Sequence, residues 1–388
     1  MNLAIPTPRA PAQPPRPRVS GRAALIAGLL LLTLIGGAAS VYRLFTGLGP
    51  TTALSDEVPW GIWIGFDFAL IAFSGAAFTM AGLVYILQRE SYRPAMRPAI
   101  LFGLLGYIAV LVLLLLDLGR WDRFWSFFIN WNVHSPLFEI SWCIVLYSTV
   151  LMIEFSPQLF ERLGKERPVR WVYRIVIPLV IAAVTLSSLH QSTLGTLYLN
   201  MPYRLHPLWY SPILSLLFFL SSIVAGLAVT LLIYPLACQI RGKPVAEGIP
   251  AGLARGAAWM LLLYALLRLG DMALAAELPA LFALDRFSLL MWLELGLALA
   301  AMAIFFSRER ERRGWQRVGA LLALAHVLLN RFSATLFAQV APEGASYFPH
   351  ALEWLSTLGV LAAVALAWYL GVRMLSIFDS HSHAKFHH

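Results

Sequence analysis

Four titratable side chains stand at the ends of apolar stretches where a polar group is costly. Asp67 follows "DEVPWGIWIGF" about one helical turn into an apolar run. Asp117 closes a leucine-rich run, Glu139 comes one turn after "VHSP", and His190 ends another run. Carboxylates and imidazoles pass protons and hydrogen-bond the polar atoms of a ligand that otherwise sits in oil. Each residue also has a structural reading. Ser135–Pro136 has the form of a helix start, so Glu139 can complement the helix dipole. Asp117 and Arg120, three apart, can pair. Asp67 and His190 have no such local explanation, and buried ionisable groups mark ligand sites or pathways.

A second set repeats the theme. Arg268 and Asp271 are three apart on one helix face; Glu294, Arg331 and Glu353 lie in later apolar runs. Two arginines and three carboxylates can neutralise one another as structural ion pairs. They can also form a proton path, because facing polar groups pass protons along water.

The elements that must carry these residues follow from composition. The 388 residues are 59% hydrophobic and 13% charged, against roughly 25% charged in a soluble domain. Ten apolar runs are long enough to cross a bilayer: 24–44, 62–88, 98–118, 136–155, 171–190, 211–236, 253–274, 284–306, 318–339 and 350–376. Lipid offers no partner to an open backbone, so each is expected to be a helix and the fold an all-α integral membrane protein. With alternating spans, 22 of the 29 basic residues fall on the side of the N-terminus; the other seven are Arg43, Arg120, Arg123, Arg204, Arg268, Arg286 and Arg331. This is the positive-inside pattern, so both termini are expected in the cytoplasm and the net charge of +9 orients the chain rather than binding nucleic acid. The proline-rich segment 1–22 is expected to be a disordered cytoplasmic tail with no cleavage site, 23–378 a single polytopic membrane domain, and 379–388 a short cytoplasmic tail. Cys143 and Cys238 are too few for an iron–sulfur cluster and lie at opposite depths, which disfavours a disulfide.

The outward loops are rich in aromatics, proline and histidine. Tryptophan gathers at any lipid interface. A belt explains less well the concentration of Trp60, Trp63, Trp121, Trp125 and Trp131 with Asn132 and His134. No phosphate loop, dinucleotide fingerprint or metalloprotease motif is present. A bis-histidine haem needs two imidazoles at one depth, whereas His326 is placed mid-membrane and His190 near the surface. A quinone suits the outer ends of helices two to five better. Its carbonyls want hydrogen-bond partners, its reduction wants protons from a carboxylate or histidine, and its tail wants an apolar, aromatic-walled slot.

The segments "PWGIWIGFD", "DLGRWDRFW", "NVHSPLFE", "EFSPQLFERLG", "HQSTLGTLYL", "HPLWYSP" and "YFPHALEW" arrive in this order. From about Leu44 to about Leu370 the chain resembles the NrfD/PsrC family of membrane subunits, closest to its HybB type from nickel–iron hydrogenases. The resemblance implies a multi-pass subunit of the bacterial inner membrane that binds no haem or iron–sulfur cluster of its own. Its substrate is implied to be menaquinone or ubiquinone, and proton translocation is a further function the resemblance leaves open. It implies a ferredoxin-like iron–sulfur partner on the periplasmic face, serving a hydrogenase or a molybdopterin reductase. The chain is then one subunit of a quinone-dependent oxidoreductase complex, not an enzyme standing alone. The pocket is implied at the periplasmic end of a four-helix bundle, helices two to five, with helices six to nine as a second bundle. On this reading Asp67, Glu139 and His190 handle quinone protons. Trp60, Trp63, Asp117, Arg120, Trp121, Asn132 and His134 complete the pocket, and the Pro59–Gly61 bend lets the chain approach it. A secondary transporter with internal repeats and a purely structural anchor for a periplasmic enzyme are the competing functions.

Overall fold

The structure is a computed structural model; it describes residues 21–378 except Glu247, Ala341 and Glu343. Among the described residues, ten helices are long and apolar enough to cross a membrane. They are α1 (Gly21–Thr46), α2 (Ile62–Ile86), α3 (Glu90–Asp117), α4 (Pro136–Arg162), α5 (Val176–Asn200), α6 (Leu214–Arg241), α7 (Gly248–Leu274), α8 (Arg286–Phe306), α9 (Arg313–Phe337) and α10 (Ala351–Met374). The chain is therefore a multi-pass, all-α membrane protein. Gly21 and Arg22, expected in the N-terminal tail, begin α1; the rest of that tail and the tail 379–388 lie outside the described residues.

Helices α2, α3, α4 and α5 pack in sequence into one bundle, and α6, α7, α8 and α9 into a second. The bundles meet where α2 and α5 pack on α6 and where α2 packs on α9. Helix α1 pairs with α10, and that pair leans on α3. The α2–α6 crossing depends on small residues. A Cβ on Gly226 would lie 2.8 Å from the carbonyl oxygen of Gly75, so only glycine lets the backbones approach. At Ser74–Gly75 α2 changes direction, and wide π-turns end both α2 (Gly82–Ile86) and α9 (Ser333–Phe337).

The fifth span differs from expectation. The run 171–190 suggested a helix ending at His190. Instead "ERPVRWVYR" forms a separate short helix, Glu166–Arg174, and α5 continues to Asn200. Arg167, Arg170 and Arg174 cannot enter hydrocarbon, so this amphipathic segment stays outside the span. The polar residues of "HQST" are hidden instead, because His190, Gln191 and Thr193 bury their side chains against neighbouring helices. His190 thus sits ten residues before the end of α5, about 15 Å along its axis at 1.5 Å per residue. It is deeper than the surface position expected.

Candidate functional site

The first bundle places a polar cluster around α2. Asp67, 2% exposed, lies in the second turn of α2, and its Oδ1 has no protein hydrogen-bond partner. Asp117, the last residue of α3, is within electrostatic range, and its Oδ1 is also without a partner. His190 on α5 is fully buried. Its Nδ1 is 3.0 Å from the Tyr107 hydroxyl on α3, and its Nε2 meets no protein atom within bonding distance. The Tyr107 ring packs edge-on against Tyr147 of α4 at 4.7 Å and against His190 at 5.7 Å. Gln191 donates to the Ile71 carbonyl and leaves its Oε1 unbonded. Glu139, half-buried in the first turn of α4, accepts from the Thr193 hydroxyl at 2.8 Å. Buried polar atoms are nearly always paired. The concentration of unpaired ones on Asp67, Asp117, His190 and Gln191 therefore points to water or a polar ligand among them.

The two approach tryptophans separate. Trp63 is fully buried, donates through Nε1 to Ser356 of α10 at 3.0 Å and lies beneath Arg43 at 5.8 Å. Trp60 packs on Tyr198 and Phe68. The loop before α2 is fastened by α10. The Ile62 amide donates to the Tyr347 hydroxyl at 2.9 Å, Tyr347 donates to Glu353 Oε1 at 2.6 Å, and the Ala53 and His350 amides donate to Glu353 Oε2. Burial, then the bond to Glu353, raise the Tyr347 hydroxyl above its ordinary range, so it remains a donor. A Cβ on Gly61 would stand 2.5 Å from the Tyr347 hydroxyl and 2.8 Å from Glu353 Oε1, which is the physical reason for glycine in "PWGIWIGFD".

Other expected pocket residues lie at the surface. Arg120 is exposed and pairs with Asp122 at 2.8 Å, not with Asp117. Trp121 donates to the Leu44 carbonyl, tying the loop to α1. Asn132 and His134 are exposed and bonded to each other within one turn. Trp131 and Trp142 instead gather Phe127, Phe128 and Phe138 into an aromatic group over the start of α4.

The second bundle brings most of the second set together. Glu294 accepts from Trp209 Nε1 (2.9 Å), Asn330 Nδ2 (2.9 Å) and the Tyr264 hydroxyl (3.4 Å). Arg331 donates to the Phe218 carbonyl and Ser221, and to Asn330. Arg268 donates to the Leu208 carbonyl, with Nη1 4.0 Å from Asp271. His326 Nδ1 is 3.0 Å from the Glu294 carbonyl. Glu353 does not join them; it belongs to the α2 approach and lies within electrostatic range of Asp117.

Several residues of the site escape sequence reasoning. Arg43, 1% exposed, ends α1 and donates to the Leu118 carbonyl at 2.8 Å. It leaves Nε and Nη1 unbonded beside Asp117. Its signal was its isolation among the seven outward basic residues. Tyr107, a neutral aromatic in an apolar run, gave none. Glu154 and Gln158 on α4 are both buried and all four of their side-chain polar atoms are without partners. They line a cavity of about 30 Å³ near the basic end of the bundle, together with Arg97, which bonds Glu161, Tyr173 and the Ser376 carbonyl. The signal for Glu154 was its place at the head of "EFSPQLFERLG".

Ten membrane-length helices among the described residues, with buried acid, imidazole and guanidinium groups that keep unbonded polar atoms in and beside the first bundle, are the architecture of a multi-pass membrane protein. The chain belongs to the NrfD family: the family description "Polysulphide reductase, NrfD" matches residues 50–343. It is 32% identical over 375 residues to a protein of Nitratidesulfovibrio vulgaris (Hildenborough), covering 92% of this chain and 94% of that one. It is 30% identical over 344 residues to the probable Ni/Fe-hydrogenase 2 b-type cytochrome subunit of Escherichia coli (K12), covering 87% and 88%. It is 30% identical over 375 residues to the menaquinone reductase integral membrane subunit of N. vulgaris, covering 88% of each. The name of the E. coli relative raises the fit of a b-type haem. His190 and His326 sit in different bundles, each against its own tyrosine, Tyr107 and Tyr264.

Proposed function

We propose that this chain is the quinone-reactive membrane subunit of a respiratory oxidoreductase complex. It exchanges electrons between the quinone pool and an iron–sulfur subunit docked on its periplasmic face, and it sits in the bacterial inner membrane with both termini cytoplasmic. The observation that carries this reading is the set of buried groups with unbonded polar atoms, Asp67, Asp117 and Arg43 toward one end of the apolar bundle and His190 deeper within it. A quinone needs hydrogen-bond partners at its carbonyls and two protons with its two electrons. Asp67 is proposed as the proton-handling group, with His190, oriented by Tyr107, and Glu139, held by Thr193, as its companions. Trp60 and Trp63 wall the approach. Arg120, Trp121, Asn132 and His134 are placed at the outer rim of the site. The names of the E. coli and N. vulgaris relatives, which belong to a hydrogenase and a menaquinone reductase, support the choice of substrate and the expectation of catalytic partners. Exposed Phe124, Trp125, Trp131, Tyr203 and Phe348 on the outer loops support a docking surface there.

Proton delivery is proposed from the basic, cytoplasmic side. Glu154 and Gln158 face a space the size of a water molecule, and about 22 Å of α4 separates Glu154 from Glu139 at 1.5 Å per residue. Tyr147 and Ser187, buried with unbonded hydroxyls, support a hydrated line toward Tyr107. Arg268, Asp271, Glu294 and Arg331 are proposed as a second proton path. The unbonded Nε2 of His326 and Nε of Arg268 favour it, while the three donors on Glu294 must yield before that carboxylate moves a proton. Glu353, the remaining member of that expected path, is proposed to act at the α2 approach.

The test is quinone binding to the purified protein, read by quenching of tryptophan fluorescence during titration with a short-chain menaquinone. Saturable quenching, relieved by excess unlabelled quinol analogue, is expected. A linear, non-saturable response, as from partition into detergent, refutes the reading.

A further inference from the structure

We propose that the cleft between the basic ends of α6 and α9 is a binding site for an anionic phospholipid. This site is separate from the quinone reading and does not depend on it. The cleft is a cavity of about 270 Å³. Leu231, Leu232, Pro235 and Leu236 of α6 supply an apolar wall. Arg313 and Arg317 of α9, with Gln239 and the buried Gln316, supply a polar mouth.

Its shape follows from sequence. Pro235 inside α6 has no amide hydrogen to offer the Leu231 carbonyl, and its ring disturbs the preceding turn, so α6 and α9 do not close against each other there. The charge is equally specific. Helix α9 has arginine at its N-cap (Arg312) and first residue (Arg313) and another at 317, with no acidic residue in its first turn, opposite to what the helix dipole favours. The neighbouring arginines are engaged: Arg312 with Glu309 at 3.1 Å, Arg310 with the Phe306 and Ser307 carbonyls. Among the described residues no carboxylate lies within ion-pair distance of Arg313 or Arg317. No acid lines the cleft at all. Gln316 is fixed by donating to the Arg310 carbonyl at 2.6 Å, so the mouth is preorganised.

Two free guanidinium groups at the end of two membrane helices, above an apolar wall open to the side, match a phosphate joined to acyl chains. The phosphate sits between Arg313 and Arg317, and one chain runs along Leu231, Leu232 and the half-exposed Leu236. Basic pockets between spans select anionic headgroups in this way. A zwitterionic lipid brings a cation that these arginines repel.

The experiment uses the full-length protein, delipidated in mild detergent. Thermal unfolding is followed while phosphatidylglycerol, phosphatidylcholine or inorganic phosphate is added. A ligand that binds the folded state raises the midpoint in a concentration-dependent way. Phosphatidylglycerol is expected to give a saturable rise that phosphatidylcholine and phosphate do not give. The double variant Arg313→Gln/Arg317→Gln is expected to need about tenfold or more phosphatidylglycerol for the same rise, and Arg313→Lys/Arg317→Lys to stay near wild type. Leu236→Trp fills the apolar wall without changing charge and is expected to weaken the response too, so a poorly folding arginine variant leaves the proposal testable. An equal response to phosphatidylcholine, a full response to phosphate alone, or wild-type affinity in either the glutamine or the Leu236 variant overturns it.

Discussion

Asp67→Asn separates proton handling from packing. Asp67 is 2% exposed and its Oδ1 has no hydrogen bond in the protein, so the isosteric change removes no observed contact and opens no cavity. None of the mechanisms that produce large stability losses applies, and a change under about 1 kcal/mol is expected. General acid–base groups typically contribute about 10²- to 10⁴-fold. Here Asp117 lies within electrostatic range, with Tyr107 and His190 behind it, so part of the proton flow can be taken over. Quinone-coupled turnover is therefore expected to fall by about 10- to 100-fold, or about 1.4–2.7 kcal/mol in the barrier. The assay is quinone reduction or quinol oxidation by the assembled complex, followed optically. An artificial dye measured in parallel reports the catalytic partner without this subunit. Dye activity and assembly should be unchanged. Wild-type quinone turnover in an assembled Asp67→Asn complex refutes the role of Asp67 and moves proton handling to Glu139 and His190.

Four further outcomes are expected. Gly61→Ala forces a Cβ onto Tyr347 and Glu353, and should loosen the α2 approach at a cost of about 1–3 kcal/mol; an unchanged unfolding midpoint contradicts it. Glu154→Gln should leave quinone binding intact while slowing proton uptake from the basic side in reconstituted vesicles; unchanged uptake removes Glu154 from the route. Cysteines placed at exposed Ser55 and Ser346 should be labelled from the periplasm and one at exposed Glu311 only from the cytoplasm, since Cys143 and Cys238 are buried; the opposite pattern inverts the topology. The reduced-minus-oxidised spectrum of the purified chain should lack a b-type band, and stoichiometric haem would return His190 and His326 to consideration as ligands.

Sequence alone determined the number of spans, the division of basic residues between loops, and the carboxylates that stand inside apolar runs. Those properties are local: hydrocarbon imposes helix on any long apolar run, and a charge in such a run is visible without knowing its neighbours. It also marked Gly61, Trp63, Asp67, Glu139 and His190, because unusual residue types at span ends are visible one at a time. What each residue faces was decided by tertiary structure. Trp60 and Trp63 lie two and five residues past the loop position Val58, yet one packs on Tyr198 of α5 and the other bonds Ser356 of α10. Glu353 shared a pattern with Glu294, yet it fastens the α2 approach, because α10 packs chiefly on α1 and α3 and sets Glu353 beside the loop before α2. Hydropathy misplaced the end of α5 because "HQST" scores as polar although His190, Gln191 and Thr193 are buried by packing. The roles of Tyr107, Glu154 and Arg43 emerged only when helices distant in sequence came together, setting the Tyr107 hydroxyl on His190 and leaving polar atoms of Glu154 and Arg43 without partners, a property that belongs to the packed protein and to no single segment of it.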